Sequence, residues 1–254
     1  MLFDLLLLKF VGIKPVVVHG GGKQISALLK KVGKQPTFID GLRVTDAETM
    51  DIVEMVLAGN INKEIVADLN RQGGRAVGLT GKDGDILLAR KLQGKVDYGQ
   101  VGEVVSINTD LVQLLLDRDY IPVIAPVGVD RDGTTLNLNA DTVAGALAAA
   151  LHAEKFILIT DELGVLRDQQ DPATLIKTIT MADHQQLLKD KVIDGGMIPK
   201  LEACIDALQR GVKKAHIISG EVPHSLLIEV FTAGGIGTEI VLKAGAKSAL
   251  KGKK

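Results

Sequence analysis

One stretch decides the fold of this chain: Val-Val-Val-His-Gly-Gly-Gly-Lys-Gln, residues 16–24. Its three valines predict a short strand buried on both faces, and the glycine run ends that strand abruptly. Apolar residues then recur at helical spacing from Ile25 to Val32. A strand, a glycine turn and a helix in this order bring bare backbone N–H groups to a helix N-terminus, where phosphate or carboxylate is favoured. A plain tight turn between the two elements is the alternative interpretation.

The composition limits the class of protein. With 254 residues, 46% of them hydrophobic, the chain can bury a full core in one large domain or in two lobes. The 30 basic and 31 acidic residues nearly cancel, so we expect neither a nucleic-acid surface nor a membrane surface. The single cysteine, Cys204, excludes an internal disulfide framework and a cysteine-rich zinc site. Apolar neighbours at helical spacing predict that Cys204 is a buried small side chain and not a nucleophile.

Beyond the glycine turn, strand-like and helix-like segments alternate along the chain. This rhythm predicts a parallel-rich sheet with helices on both faces. Two stretches, 36–45 and 85–105, break the rhythm and predict hairpins over the C-terminal edge of the sheet, where such folds bind ligands. We predict strands at 16–19, 76–80, 121–126, 156–160, 215–219 and 239–242, and helices at 23–32, 46–57, 61–71, 108–117, 141–152, 182–189, 198–210 and 223–231.

The first eleven residues are apolar, but they are too few to span a bilayer and are interrupted by Asp4 and Lys9. They also lack the basic start and the cleavage site of a signal peptide, so a helix packed on the sheet is predicted. A crossover unit normally has a strand ahead of such a helix. We therefore expect the chain to begin in the middle of its first βαβ unit.

Polar residues that could carry chemistry lie where predicted strands end or predicted helices begin. Arg43 follows a glycine turn, which suits a guanidinium that grips a carboxylate, although a solvated surface arginine would have the same local sequence. Alternation places Asn137 and Asn139 on one face of a strand end. Asp141 starts a helix that it could simply cap. Lys200 lies in the first turn of a helix, where a cation opposes the helix dipole, so we expect it to neutralise a bound phosphate.

Four short motifs carry a resemblance to a known family. They are Val-His-Gly-Gly-Gly at 18–22, Asp-Gly-Leu-Arg-Val-Thr at 40–45, Asn-Leu-Asn-Ala-Asp at 137–141 and Gly-Gly-Met-Ile-Pro-Lys at 195–200. In this order and at these separations, the chain resembles the acetylglutamate kinases of the amino acid kinase family from about residue 2 to residue 242.

The resemblance implies an α/β fold with two lobes, an open three-layer αβα sandwich around a mostly parallel central sheet. The N-terminal lobe, residues 1–140, would bind N-acetylglutamate and dimerise, and the C-terminal lobe, residues 141–254, would bind ATP. The implied reaction is the ATP-dependent phosphorylation of the γ-carboxylate of N-acetyl-L-glutamate, a step of arginine biosynthesis.

The resemblance also implies roles for single residues on the acceptor side. The backbone of Gly21 and Gly22 would hold the attacking carboxylate, and Gly21 would also stabilise charge at the transferring phosphoryl group. Arg43 would clamp the α-carboxylate, and Asn137 would bind near the acetamido group. A γ-carboxylate with an ordinary pKa near ~4.3 is already ionised at neutral pH, so the reaction needs no general base.

On the nucleotide side, the resemblance assigns Lys200 to the phosphoryl oxygens and Asp141 to orienting the catalytic groups. ATP with Mg²⁺ would be the co-substrate, and we expect no tightly bound cofactor and no resident metal. The nucleotide pocket would be formed by Asp161, Glu162, Leu163, Gly164, Val165, Leu166, Val192, Ile193 and Asp194.

The C-terminal stretch 216–238 resembles the arginine-sensitive branch of these kinases. Glu229, with the turn at Gly234 and Gly237, would then bind the guanidinium of L-arginine as a feedback inhibitor. A surface glutamate followed by a glycine helix stop is the alternative. We expect a homodimer, with a hexamer as a further state, and a cytoplasmic location, or the plastid stroma if the chain is plastid-encoded.

The chain departs from the family pattern near its start. The family's first strand carries a Lys-x-Gly-Gly motif for the nucleotide phosphates, and these residues contain no such motif. Loss of one charge-stabilising group at a transferring phosphoryl costs ~10³–10⁵ in rate. Two alternatives to a working kinase therefore stay open. One is a weakly active or inactive truncated homologue that binds N-acetylglutamate or arginine as a regulatory subunit, and the other is a sister kinase acting on carbamate, aspartate, glutamate or a nucleoside monophosphate.

Overall fold

The computed structural model describes residues 1–190, 192–193 and 195–242. Its helices follow the predicted order. They are α1 (Leu2–Phe10), α2 (Gly22–Lys31), α3 (Ala47–Glu54), α4 (Asn62–Arg71), α5 (Asp110–Asp117), α6 (Ala140–Ala150), α7 (Met181–Lys189), α8 (Met197–Gln209) and α9 (Ser225–Phe231). A π-helix, Met55–Ile61, joins α3 to α4.

Strands alternate with these helices. They are β1 (Val17–Val18), β2 (Phe38–Ile39), β3 (Leu42–Arg43), β4 (Ala76–Thr80), β5 (Leu87–Lys91), β6 (Gly102–Ile107), β7 (Ile121–Ala125), β8 (Val127–Val129), β9 (Thr135–Asn137), β10 (Lys155–Thr160), β11 (Thr178–Thr180), β12 (Lys214–Ser219) and β13 (Thr238–Val241).

Two sheets form the centre of the molecule. The first has the order β1-β7-β4 and is parallel throughout. The second has the order β10-β12-β13-β11 and is parallel except between β12 and β13. The predicted α/β fold with mostly parallel strands is confirmed.

Hydrogen bonding divides the predicted central sheet into two parts. Within the described residues, β1 pairs only with β7 and β10 pairs only with β12, so no ladder of hydrogen bonds joins the two sheets. Both of these edge strands instead pack against α6. Helix packing and not strand pairing therefore links the two sheets.

The two predicted hairpins are present. β2 and β3 pair antiparallel, and β5 pairs antiparallel with β6 in a further four-stranded sheet of order β6-β5-β8-β9. β8, β11 and the π-helix were not predicted from the sequence. β11 has three residues, of which only Ile179 is buried, so it is too short to show a period of two.

The hydrophobic core has an N-terminal and a C-terminal part, and α6 contributes to both. Val143 of α6 packs in the N-terminal part, whereas Ala149 of the same helix packs in the C-terminal part. The predicted division into lobes at residue 140 therefore stays a prediction. Cys204 is fully buried in the C-terminal part, as predicted, and burial raises the pKa of its thiol.

Helix α1 packs on the sheets, as predicted. Leu6 lies in a cluster with Leu69 and Ile121, and Leu8 lies in another with Ile218. Among the described helices, α1 included, none has the length and apolar character needed to cross a membrane.

Candidate active site

The glycine turn is packed between the π-helix and the start of α6. Gly21 has φ −177°, which any residue adopts, so space and not backbone conformation requires a glycine here. A Cβ on Gly21 would collide with the side chains of Leu57 and Ile61 in the π-helix. A Cβ on Gly22 would have no neighbour within 4 Å. Because Gly21 and Gly22 stand at the N-terminus of α2, their N–H groups have no acceptor within that helix.

Arg43 is buried directly beside this turn. Its Nη2 donates to the carbonyl of Gly22 and to Oγ of Ser26, each at 2.9 Å, and its guanidinium lies 4.6 Å from the ring centre of Phe38. Burial lowers the pKa of Arg43, which is 7% exposed. The interpretation of Arg43 as a solvated surface residue is therefore wrong.

The second arm of the Arg43 guanidinium is unused. Nη1 is buried, and among the described residues it has no hydrogen-bond partner. A buried cationic donor without an acceptor is costly, and a carboxylate from a ligand is the acceptor that would satisfy it best. This geometry fits the predicted role of Arg43 as a carboxylate clamp.

Hydrogen bonds of one intermediate residue, Thr45, connect Asn137 to Arg43. Nδ2 of Asn137 donates to Oγ1 of Thr45 at 3.2 Å, and that hydroxyl donates to the carbonyl of Arg43 at 2.8 Å. Thr45 is fully buried and was not predicted as a site residue. Asn139, in contrast, accepts a bond from the N–H of Thr142 and caps α6.

The cap of α6 is thus Asn139, and the interpretation of Asp141 as the helix cap is wrong. Oδ2 of Asp141 accepts a hydrogen bond from Nζ of Lys200 at 2.8 Å, and the two side chains are 23% and 22% exposed. The two residues lie in the first turns of α6 and α8, which pack against each other. Asp141 therefore offsets the unfavourable position of the Lys200 charge at a helix N-terminus.

A cavity of about 270 Å³ opens beside Lys200. Most of the residues predicted for the nucleotide pocket line it, but Leu163 does not, and Asp194 lies outside the described residues. The turn after β10 supplies one wall and the segment before α8 the other. The lining residues are Thr160, Asp161, Glu162, Gly164, Val165, Leu166, Gln169, Val192, Ile193, Gly196, Met197 and Lys200.

This cavity lies close to the glycine turn. Nζ of Lys23, in the first turn of α2, is 3.8 Å from Oδ2 of Asp161 in the wall of the cavity. Both side chains are largely exposed, so this pair contributes little to stability. The pair shows that the first turn of α2 lies beside the wall of the cavity.

Glu229, predicted to bind arginine, is buried and has partners within the chain. Its Oε1 lies 2.6 Å from Nδ1 of His216, and its Oε2 accepts the N–H groups of Ile236 and Gly237 at 2.6 and 3.1 Å. Burial would raise the pKa of Glu229, but these hydrogen bonds outweigh it and lower the pKa to about 2. The interpretation of Glu229 as a surface residue is wrong, and its carboxylate holds the turn that contains Gly234.

Two further residues, behind the glycine turn, were not predicted as site residues from the sequence. His19 and Asn62 are both buried and contact each other. A polar residue at the end of a buried strand was visible in the sequence, but nothing local indicated its partner 43 positions away. In the described part of the chain, no group of three His, Cys, Asp or Glu residues could hold a metal ion.

Comparison with known proteins identifies the protein family that this chain matches. The profile of the amino acid kinase family matches residues 4–219. The acetylglutamate kinase of Thermosynechococcus vestitus is 55% identical over 238 residues, covering 94% of this chain and 80% of that protein. The acetylglutamate kinase of Methanococcus aeolicus is 52% identical over 246 residues, covering 93% and 84%. N-acetylglutamate synthase from Neisseria gonorrhoeae, solved with coenzyme A and N-acetyl-glutamate, has a TM-score of 0.84 at 28% identity and covers 96% of this chain and 55% of that one.

Proposed function

The chain belongs to the amino acid kinase family, and we propose that within this family it acts as an acetylglutamate kinase. It transfers the γ-phosphoryl group of ATP to the side-chain carboxylate of N-acetyl-L-glutamate, a step of arginine biosynthesis. The identity of about half of all residues with acetylglutamate kinases along most of the chain supports this assignment. The alternatives of a regulatory subunit and of a sister kinase are not favoured.

One observation from the structure supports the proposal most directly. Lys200 lines the cavity and at the same time bonds to Asp141, whose neighbour Ala140 lies against the glycine turn. A cation in this position can touch a phosphoryl group on its way from the cavity to an acceptor at the turn. Phosphoryl transfer depends on positioning and on neutralising negative charge, which is what this arrangement provides.

The acceptor is held by charge and by backbone donors. The unused Nη1 of Arg43 binds the α-carboxylate, and Asn137, fixed by Thr45, binds the acetamido group. The N–H groups of Gly21 and Gly22 hold the γ-carboxylate for attack. The Glu side chain has a pKa near ~4.3, so the attacking carboxylate is already an anion and no residue needs to remove a proton.

The reaction then balances without a cofactor. A carboxylate oxygen of N-acetylglutamate forms a bond to the γ-phosphorus, the bond from that phosphorus to the β,γ-bridging oxygen breaks, and ADP leaves with the electron pair. Lys200 neutralises charge on the moving phosphoryl oxygens. The nucleotide enters as its Mg²⁺ complex, because Mg²⁺ is usually carried into such sites by substrate phosphates.

An assay of ADP release tests the function. The purified chain receives ATP and Mg²⁺ with N-acetyl-L-glutamate, L-glutamate, L-aspartate or carbamate, and the acyl phosphate is trapped with hydroxylamine. We expect turnover with N-acetyl-L-glutamate and at most background with the other three. Absence of turnover, together with binding of N-acetyl-L-glutamate in calorimetry, would favour the regulatory-subunit alternative.

Regulation and assembly extend the proposal. L-Arginine would bind near Glu229, whose lowered pKa of about 2 keeps the carboxylate ionised at neutral pH. Oε2 already accepts two N–H groups and Oε1 faces one His216 nitrogen, so only Oε1 has a lone pair left for a guanidinium. A homodimer, with a hexamer as a further state, and a cytoplasmic or plastid-stromal location remain part of this proposal.

A further inference from the structure

His19 connects the glycine turn to the body of the molecule. Its side chain follows β1 and is 8% exposed. Nδ1 lies 3.0 Å from the carbonyl oxygen of Gly20, and Nε2 lies 3.2 Å from Nδ2 of Asn62. Both ring nitrogens therefore have a partner, one in the turn and one behind it.

The orientation of the Asn62 amide is fixed by its other contacts. Nδ2 donates to the carbonyl oxygen of Val123 at 2.9 Å and lies 3.4 Å from that of Leu79, so it is the N–H₂ end of the amide. Oδ1 accepts a hydrogen bond from Nζ of Lys63 at 3.1 Å. Because an amide nitrogen donates and does not accept, the contact between Nδ2 and His19 requires Nε2 of His19 to be the acceptor.

These contacts determine the protonation of His19. Nε2 must accept from Asn62, so the proton sits on Nδ1 and is donated to Gly20, and the ring is neutral. The pKa of His19 agrees: burial lowers it, the Gly20 carbonyl acts in the opposite direction, and the nearby Lys63 charge lowers it further. A charged imidazole would face the Asn62 amide donor with a second donor.

The bond to Gly20 controls where the next N–H group points. In a trans peptide the C=O and the following N–H point in opposite directions. Drawing the Gly20 carbonyl toward His19 therefore directs the N–H of Gly21 away from His19. The π-helix supports the same peptide from a second side, because Leu57 and Ile61 contact Gly21 and the helix ends immediately before Asn62. π-Helical turns are rare and occur frequently at functional sites.

We propose that His19 and Asn62 are positioning residues for phosphoryl transfer, which hold the Gly20–Gly21 peptide so that the N–H of Gly21 faces the acceptor carboxylate. This inference rests on the proposed function, because the acceptor is N-acetylglutamate. His19 itself touches neither substrate, and it acts only through the backbone of the turn.

Two substitutions of His19 test the proposal. The amide nitrogen of Asn can replace Nδ1 as a donor to Gly20, whereas Leu fills the space without a donor. We expect His19→Leu to lower kcat about 10²-fold, the scale of a small misplacement of a reacting group. We expect the KM for ATP to change less than twofold and His19→Asn to recover most of the lost kcat. His152→Asn makes the same chemical change on the exposed surface beyond α6 and should leave kcat unchanged.

Equal losses in His19→Leu and His19→Asn would overturn the proposal, and so would an unchanged kcat in a folded His19→Leu variant. Circular dichroism and melting temperature identify variants that fail to fold. ¹⁵N NMR of the histidine side chains gives a test without substitution of the turn, with the His19 signal assigned by its loss in His19→Asn. We expect the neutral ring with the proton on Nδ1 at pH 7, and a proton on Nε2 would overturn the proposal.

The NMR measurement also separates this inference from the proposed function. If the unaltered chain phosphorylates N-acetylglutamate but His19 carries its proton on Nε2, only the positioning role is wrong. If the unaltered chain does not phosphorylate N-acetylglutamate, the proposed function is wrong and the positioning role for that reaction fails with it, whatever the tautomer.

Discussion

Nζ of Lys200 lies 2.8 Å from Oδ2 of Asp141, so that the first turns of two packed helices are joined by one ion pair next to the cavity. Each of the two side chains keeps about a fifth of its surface exposed. The lysine can therefore reach a ligand without leaving the aspartate. Substitutions that remove one charge of this pair should therefore report most directly on how the site works.

Removal of the Lys200 charge should lower kcat more than it raises either KM. We expect Lys200→Ala to reduce kcat about 10³-fold, because the lysine stabilises charge that develops in the transition state. Asp141→Asn should reduce kcat about 10²-fold. If Asp141 acts through Lys200, the double variant should lose no more than Lys200→Ala alone. Lys213→Ala, which breaks an exposed pair with Glu154, is the control and should keep full activity.

Replacement of Arg43 by lysine should separate the two substrates. Lys keeps the charge but loses the planar fork and the bond to Ser26, so the Kd for N-acetylglutamate should rise about 10–100-fold. Calorimetry should show an unchanged Kd for ATP. The matched control is Arg75→Lys, since Arg75 stacks on Tyr120 at 4.2 Å much as Arg43 stacks on Phe38. Equal weakening of both ligands by Arg43→Lys would remove Arg43 from the acceptor site.

The two neighbouring glycines should respond differently to alanine. Gly21→Ala places a Cβ against Leu57 and Ile61 and should lower the free energy of unfolding by about 1–3 kcal/mol, the usual cost of overpacking. Gly22→Ala meets no atom within 4 Å and should change the free energy of unfolding by less than about 1 kcal/mol. Urea titration of both variants measures this difference, and equal losses would mean that the turn has more room than the structure shows.

The buried carboxylate of Glu229 should give the stability a dependence on acid pH. Its pKa is 4.5 in the unfolded chain and about 2 in the folded one, so its ionised form contributes stability that is complete above pH 4.5. That contribution falls as the pH drops from 4.5 toward 2. Glu229→Gln should therefore cost most at neutral pH, and its difference from the unaltered chain should shrink in urea titrations at pH 5, 4 and 3. Glu202→Gln, on the exposed side of α8, should show no such trend.

Free L-arginine should raise the melting temperature if it binds at Glu229. A ligand that binds only the folded state stabilises it by mass action, so the shift should grow with arginine concentration. Glu229→Gln should reduce this shift, measured relative to its own melting temperature. L-Lysine at the same concentration controls for a general effect of salt. No arginine-dependent shift in the unaltered chain would argue against this regulation.

Much of the fold could be predicted from sequence periodicity. The run of valines at 16–18 and the alternation that follows predicted parallel strands and the helices between them, because buried strands and amphipathic helices have different periods. The break between the two sheets could not be predicted in this way. It depends on which edge strands find partners, a long-range property that no local pattern contains.

The same distinction between local patterns and long-range partners applies to the candidate site. Arg43 and Lys200 could be predicted as site residues, because glycine or proline lies close to each of them at the end of a predicted helix or strand. Thr45 and Asn62 were not visible, because their roles come from partners far along the chain. The π-helix was missed for another reason: the predicted helices 46–57 and 61–71 left residues 58–60 unassigned, because Gly59 and Asn60 are residue types typical of a break between helices.

The pairing of β1 with β7 has a consequence for synthesis. Val17 pairs with Val123, a separation of 106 positions, and β1 has only two paired residues. At about 5–20 residues per second, a ribosome needs roughly 5–20 s to make the residues between them. During that time the strand that carries the glycine turn has no partner in the chain. The glycine turn can therefore take its place beside β7 only after residue 123 has been made, and shorter nascent chains cannot yet bind either substrate in the way proposed above.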